Sequence, residues 1–311
     1  MKKVIALAVL AIAVIAASAT AGVSALSGNI SADGSSTLGP YTQAAAEGFQ
    51  KKNRGARVTV AISGTGGGFE RFCRNETDLS NASRPMKQSE AINCRNADVK
   101  WVAFTVANDG LSVVVNKSNT WATCLTVPEL KKVWEPGSKV NNWNQIRDSF
   151  PNVPLKLFGA GTDSGTFDYF TEAINGKAKA SRSDYLATED DNIVVQGVEG
   201  ERGAMGYFGF SYYEENKDKL KVLSIDQGKG QGCVTPSVAT VQGNKYRPLS
   251  RPLFIYAKRS SFKRPVVAGF IGYIFNNEKA IAKKSGFIAL TDRQLKKARY
   301  QYLQALKSNN T

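Results

Sequence analysis

Apolar residues alternate at Val58, Val60 and Ile62, a period of two that predicts a β-strand, and the stretch 44–52 before them carries a helical pattern. Short apolar runs at 111–116, 153–158 and 220–225 predict further strands. Val266, Val267, Phe270, Ile271, Ile274 and Phe275 recur at helical spacing. A last helix is expected over 292–307, with Leu295, Tyr302, Leu303 and Leu306 as its apolar residues and Thr291 as its N-cap. Strands alternating with helices predict an α/β protein. Nearly all of these stripes describe core packing. No tandem repeat or linker cuts the chain into two consecutive halves, and the loop-rich stretches fall at 175–191 and 227–249. Any domains are therefore expected to be interleaved.

The first residues change the picture. Met1-Lys2-Lys3 is followed by an apolar run over 4–17 and then by small residues with cleavage points after Ala19, Ala21 or Ala25, the pattern of a secretory signal peptide over 1–25. The run is shorter than the roughly 20 residues a membrane span needs. No cysteine follows the cleavage points closely enough to accept a lipid, so the mature chain is expected to be exported in soluble form. About 285 residues remain, enough for two domains of the usual size. Cys73, Cys94, Cys124 and Cys233 make an even set, and in an oxidising compartment they predict two disulfides and not a metal site. Spacing favours Cys73 with Cys94 and Cys124 with Cys233, out of three formal pairings.

The formal net charge is +15, spread along the chain without a basic arm or a nucleic-acid-binding motif. It favours capture of anions over binding of nucleic acid. The chain has no histidine. A serine hydroxyl needs a base to act as a nucleophile, so the Asp163-Ser164-Gly165 triplet is read as a set of hydrogen-bond donors, not as a hydrolase motif.

Three turns share one design. Asp33-Gly34-Ser35-Ser36-Thr37-Leu38, Ser63-Gly64-Thr65-Gly66-Gly67-Gly68 and Thr162-Asp163-Ser164-Gly165-Thr166 each follow a predicted strand and lead into a helix. A helix N-terminus presents unpaired amides and the positive end of the macrodipole, and glycine and hydroxyl residues add room and donors for an oxyanion. No turn matches a P-loop or a dinucleotide fingerprint, so the ligand is expected to be smaller than a nucleotide. Arg84, in Asn81-Ala82-Ser83-Arg84-Pro85, offers a guanidinium fork for a tetrahedral anion.

Together "DGSSTLGP", "SGTGGGFERFC", "TDLSNASRP", "GTDSGTFDYF", "GAMGYFGFSYY" and "VTPSVATVQGNKYRPLSRPLFIY" resemble the periplasmic phosphate-binding protein of the high-affinity ABC phosphate transporter, over essentially the whole mature chain. The resemblance implies a type II periplasmic-binding fold, two α/β lobes joined by crossover strands. On it, lobe I comprises 26–108 and 248–311, and lobe II comprises 109–247. It implies phosphate ligation by Thr37, Leu38, Thr65, Ser164, Gly165 and Thr166, with Ser36 and Arg84 as further candidates. Two positions depart from the familiar branch, which has an aspartate in place of Arg84 and an arginine near Ala160 or Gly161. That aspartate accepts the proton of phosphate, and its loss makes Asp163 the candidate acceptor here, with Asp33 second.

The expected function is exported capture of inorganic phosphate and delivery to an ABC permease in the inner membrane, by a monomer that is not an enzyme and carries no cofactor or metal. Binding of sulfate, molybdate or a phosphonate is the first alternative. An exported phosphatase is the second, and a cell-surface adhesive role for the basic exterior is the third.

Overall fold

The computed structural model describes residues 25–162 and 164–307. The signal-peptide expectation therefore falls almost entirely outside the described residues, as does Asp163. In chain order the strands are β1 (Gly28–Gly34), β2 (Ala56–Val60), β3 (Leu79–Ala82), β4 (Trp101–Asn116), β5 (Cys124–Thr126), β6 (Lys156–Ala160), β7 (Leu186–Thr188), β8 (Ala204–Gly209), β9 (Leu220–Val222), β10 (Ser224–Asp226), β11 (Cys233–Val234) and β12 (Ser250–Lys258). The helices used below are α1 (Gly39–Lys52), α2 (Gly64–Cys73), α3 (Gln88–Asn96), α4 (Val127–Trp134), α5 (Gly165–Asn175) and α6 (Asp191–Gly200).

One curled sheet runs β2-β1-β3-β12-β4-β8-β6-β7, with β9 also on β4, and a small sheet holds β11, β10 and β5. β4 is the connection between the halves. Its first part, Trp101 to Gly110, pairs antiparallel with β12, and its second, Leu111 to Asn116, pairs antiparallel with β8 and β9. β1 is parallel to β2 and β3, and β6 is parallel to β7 and β8. Each half therefore has the parallel strands that precede helices, the arrangement that places ligands outside the carboxyl ends of strands.

Helices cover both faces of each half. In the first, α1 buries Tyr41, Ala45 and Phe49 at four-residue spacing, and Phe49 meets Phe270 of the helix Pro265–Asn276 edge to face at 5.3 Å. On the opposite face, Phe69 and Phe72 of α2 pack with Tyr256 of β12. In the second, α5 buries Phe167, Phe170 and Ile174, and Phe170 stacks on Tyr207 of β8 at 3.8 Å with Trp134 at its edge. These anchors fix the rotation of α5 and so the aim of its N-terminus.

Cys73 pairs with Cys94 and Cys124 with Cys233, as the spacing favoured. The bridges close loops of 21 and 109 residues. In the chain-entropy model such closures are worth about 3 and about 5 kcal/mol.

Four expectations are corrected. The run 220–225 is not one strand: it breaks at Leu223 into β9 and β10, which belong to different sheets. The strand expected at 153–158 starts at Lys156, because Pro154 lies in a loop that bridges to Asn142. The glycines of the second turn are themselves the first turn of α2. Gly68 explains why, since a Cβ there would sit 2.4 Å from the Cα of Gly34, so α2 starts pressed against the end of β1. Finally, Ile62 and Leu303 face solvent at 55% and 53% exposure, outside the core stripes they were assigned to.

Phe170→Ala should destabilise the protein by about 3–5 kcal/mol, because it empties the space between Tyr207 and Trp134. Urea denaturation followed by tryptophan fluorescence measures this. A loss below about 1 kcal/mol would show that α5 is not anchored through this stack.

Candidate functional site

The first turn delivers its hydroxyls across to the other half. Its backbone is fixed locally: the Ser35 amide donates to the Asn81 carbonyl at 2.9 Å, and Gly34 donates to the Asp33 carboxylate at 2.7 Å. No side chain caps α1, so Ser36 and Thr37 are free to reach outward. Ser36 Oγ donates to Asp168 Oδ2 at 3.2 Å, and Thr37 Oγ1 donates to the Gly165 carbonyl at 3.1 Å. The two turns touch so closely that a Cβ on Gly165 would fall 2.5 Å from the Thr37 amide nitrogen. Only glycine permits that approach.

The second turn lies beside them. No side chain caps α2 either, and Thr65 Oγ1 pairs with Ser83 Oγ at 3.0 Å while accepting from the Ser83 amide at 3.2 Å. In the third turn Ser164 is the N-cap of α5, its oxygen accepting from the Thr166 amide at 3.1 Å. Capping uses a lone pair of Ser164 and leaves its O–H to donate. Leu38 is fully buried, with its amide 3.4 Å from Ser35 Oγ.

Two cavities adjoin at Ser36 and Thr37. The smaller, about 190 Å³, is lined by Ser36, Thr37, Thr65, Ser83, Arg84 and Asp168, among others. It lies below the about 300–1,000 Å³ typical of sites for drug-sized ligands. The larger, about 580 Å³, takes in Ser164, Gly165 and Thr166 together with Asp191. The structure thus brings the three turns to one place, with the first shared between the two cavities.

Arg84 is held differently from the expectation of a free fork. Its Nη1 and Nη2 bind Glu90 at 2.9 and 2.7 Å, and Nη1 also donates to the Pro85 carbonyl. Burial opposes ionisation of Glu90, but Arg84 and the Lys87 amide hold its carboxyl below the ordinary value. The guanidinium still borders the cavity, beside Gly66. Asp33, the second acceptor candidate, is buried and ion-paired to Arg71 at 2.6 Å, and it lines neither cavity.

Arg251 was not expected from the sequence. On β12 it stands opposite Asp109 of β4, and its Nε lies 3.3 Å from Asp109 Oδ2. Nη2 donates to Thr37 Oγ1 at 2.9 Å, and the guanidinium carbon sits 3.3 Å from the centre of the Tyr169 ring. Burial pushes the Asp109 carboxyl above its ordinary value despite this partner. Tyr169 Oη in turn donates to the Pro248 carbonyl at 2.8 Å. One arginine therefore touches the β4–β12 pair, the first turn and α5. A sequence signal existed only as "SRPLFIY", a strand motif with a cation at its start.

Among the described residues no group of histidine, cysteine and carboxylate side chains is placed to hold a metal ion. No described helix is long and apolar enough to cross a membrane.

Asp191, at the start of α6 on the wall of the larger cavity, has its carboxyl pushed up to about 6, first by burial and then by Asp190 and Glu189. The fold therefore holds a proton there that the unfolded chain, with an ordinary carboxyl near about 3.9, releases earlier. Stability from this group is full below the unfolded value and is lost as pH rises from about 4 through about 6. Asp191→Asn should raise stability by about 1–3 kcal/mol at pH 7.5 and leave it unchanged near pH 3.5. Urea titrations at the two pH values check this; an equal effect at both would remove the protonation argument.

The comparisons agree with this geometry. A family model described as a PBP superfamily domain matches residues 19–278. Protein SphX of Synechococcus elongatus is 46% identical over 284 residues, covering 91% of this chain and 82% of that protein. The phosphate-binding protein PstS of Staphylococcus saprophyticus is 35% identical over 266 residues, covering 85% and 81%. The crystal structure of a possible phosphate binding protein from Planctomyces limnophilus superimposes with a TM-score of 0.88 at 48% identity, covering 90% of this chain and 99% of that one. An ABC-type phosphate transport receptor from Vibrio cholerae, at 21% identity and a TM-score of 0.66, shares the fold. With a family model and relatives that each span most of the chain, the protein belongs to the periplasmic-binding-protein (PBP) superfamily, in the family that contains the SphX and PstS proteins.

Proposed function

We propose that this protein captures inorganic phosphate between two lobes and delivers it to an ABC permease of the inner membrane. The observation that carries the reading is the meeting of three hydroxyl-bearing helix N-terminal turns around two adjoining cavities that share Ser36 and Thr37. The relatives named as phosphate-binding proteins support it. Lobe I would comprise 26–108 and 248–311 and lobe II 109–247, closing about the β4–β12 pair. The chain would be exported by the segment 1–25 and act as a periplasmic monomer.

In this reading the oxyanion receives hydrogen bonds from Ser36 and Thr37, whose hydrogens turn to it from Asp168 and the Gly165 carbonyl, from Thr65, Ser164 and Thr166, and from the amides of Leu38 and Gly165. Asp163 remains a candidate acceptor from sequence. Arg84 and Arg251 supply positive charge at the border and the back of the smaller cavity. Neutral donors fixed in a water-poor cleft stabilise an anion without a buried salt bridge, whose desolvation would offset much of its attraction. Closure of the lobes traps the ligand. A phosphatase would need a nucleophile with its base or a metal to activate water, and the serines here act as caps and donors.

Titration calorimetry on phosphate-stripped protein tests the reading. Phosphate should bind, and a large excess of sulfate should not displace it. Thr65→Ala and Ser164→Ala should each weaken phosphate binding by roughly 1–3 kcal/mol. Competition by sulfate would favour the broader oxyanion reading. Absence of any heat with phosphate, arsenate or sulfate would exclude capture of these anions.

A further inference from the structure

We propose that the outward face of the last helix, Asp292–Lys307, is a docking surface for a membrane that carries anionic headgroups. The inference is independent of the phosphate-binding reading, because this helix lines neither cavity of the candidate site.

The helix has two distinct sides. Ala298 and Ala305 are buried, and Leu295, Tyr302 and Leu306 pack beside them on the core of the first half. Tyr302 Oη donates to the Ala268 carbonyl and Arg299 Nη2 to the Phe275 carbonyl, each at 2.9 Å, which ties it to the helix Pro265–Asn276. The other side carries Arg293, Lys296, Lys297, Tyr300, Leu303 and Lys307, all exposed. At 3.6 residues per turn these six fall within an arc of about 120°, with Tyr300 near its middle.

Two observations on that arc point to lipid. The first is charge. The helix has a single acid, Asp292, and none of Arg293, Lys296, Lys297 and Lys307 is in an ion pair among the described residues. The second is apolar surface placed among those cations. Tyr300, at 63%, is the most exposed large hydrophobic side chain of the described residues, and Leu303, three residues on and its neighbour on the helix surface, is 53% exposed.

Cations alone would suit any polyanion. Cations flanking an aromatic and an aliphatic side chain suit the edge of a bilayer, where headgroup phosphates take the ammonium and guanidinium groups, the tyrosine ring lies among the headgroups and the leucine reaches the acyl boundary. Nucleic acid would engage the same cations and leave Leu303 in water. The export proposed above places the chain in a compartment bounded by lipid. Because the inner side of the helix already holds it folded, docking requires no coupled folding. Each lysine or arginine close to an anionic surface strengthens binding about fivefold, and the attraction fades within a Debye length, so the contact is reversible and salt-sensitive.

Cosedimentation with vesicles tests the proposal, using phosphatidylcholine alone and a two-to-one mixture with phosphatidylglycerol. Native protein should bind the mixed vesicles at about 0.05 M salt, lose them at about 0.5 M and ignore phosphatidylcholine at both. Lys296→Glu with Lys297→Glu should weaken binding by about 25-fold or more, and Tyr300→Ser with Leu303→Ser by about tenfold. Lys117→Glu with Lys219→Glu, two exposed lysines of the second half, changes the net charge equally and should stay within about threefold of native. Should the glutamate pair fail to fold by circular dichroism, Lys296→Gln with Lys297→Gln makes the same comparison. Native protein that leaves the mixed vesicles unbound at low salt overturns the proposal. So does an equal loss in the Lys117 and Lys219 variant, which would assign binding to overall charge, or native binding in the Tyr300 and Leu303 variant, which would deny the apolar contact. Tighter binding to short duplex DNA than to the vesicles, abolished by the glutamates at 296 and 297, assigns the face to nucleic acid and overturns it too. Calorimetric titration of the same variants with phosphate should match native protein; native protein that binds vesicles and no phosphate removes the phosphate reading and leaves this one standing.

Discussion

The pairing of β4 with β12 is the constraint on which the rest of the structure depends. β4 is 16 residues long and belongs to both halves of the sheet, first with β12 and then with β8 and β9. Because one continuous backbone sets the orientation of both sets of strands, the carboxyl ends of β1 and β6 face a common gap. The turns that follow them can then meet, Thr37 against Gly165. A strand buried on both faces along most of its length keeps that geometry, since every residue from Val106 to Val115 is buried.

Charge is handled consistently around that gap. Three acids near the turns are tied up in pairs, Asp33 with Arg71, Glu90 with Arg84 and Asp109 with Arg251, so they orient cations, while Asp168 accepts from the Ser36 hydroxyl. Arg251 is the least replaceable of these cations. Its guanidinium is stacked on Tyr169 while donating to Thr37, a combination of planarity and several donors that a lysine ammonium does not offer. Removing it would leave Asp109 buried with no countercharge, the situation in which breaking an ion pair is most costly.

Much of the fold was legible in the sequence because its signals are local. The helix at 265–276 has an apolar face, and the final helix has a capping pair, Thr291 with Gln294, at its start. The three turns were legible because one design recurs three times, where a single glycine-and-hydroxyl turn before a helix would read as an ordinary cap. What was missed depends on distant partners. The first part of β4 escaped because Trp101 and Ala103, on its second face, are also apolar and blur the alternation of Val102, Phe104 and Val106. Arg251 lies 214 residues from Thr37 and carries no motif that points there. Asp168 stands in the sequence only as a letter of "GTDSGTFDYF", and only the fold shows that Ser36, 132 residues earlier, holds one of its oxygens. Arg84 was read as a free fork, whereas Glu90, one turn into α3, takes both of its arms.

The contact between Thr37 and Gly165 also bears on how a ligand would enter. The Thr37 hydroxyl has one hydrogen, and in this structure the Gly165 carbonyl receives it. An anion bound at Thr37 must take that hydrogen from the carbonyl, exchanging a neutral hydrogen bond for a charge-assisted one, which is roughly twice as strong. Arg251 is unaffected by the exchange, because it donates to a lone pair of the same oxygen and polarises the O–H that remains. The Gly165 carbonyl, the first of α5, keeps its intrahelical donor, while the Gly165 amide, at the positive end of α5, is the group suited to face the anion. Apposition of the two halves without ligand and apposition around it are therefore two arrangements of the same turns. They differ in whether the Thr37 hydroxyl donates to the Gly165 carbonyl or to an anion held at the N-terminus of α5.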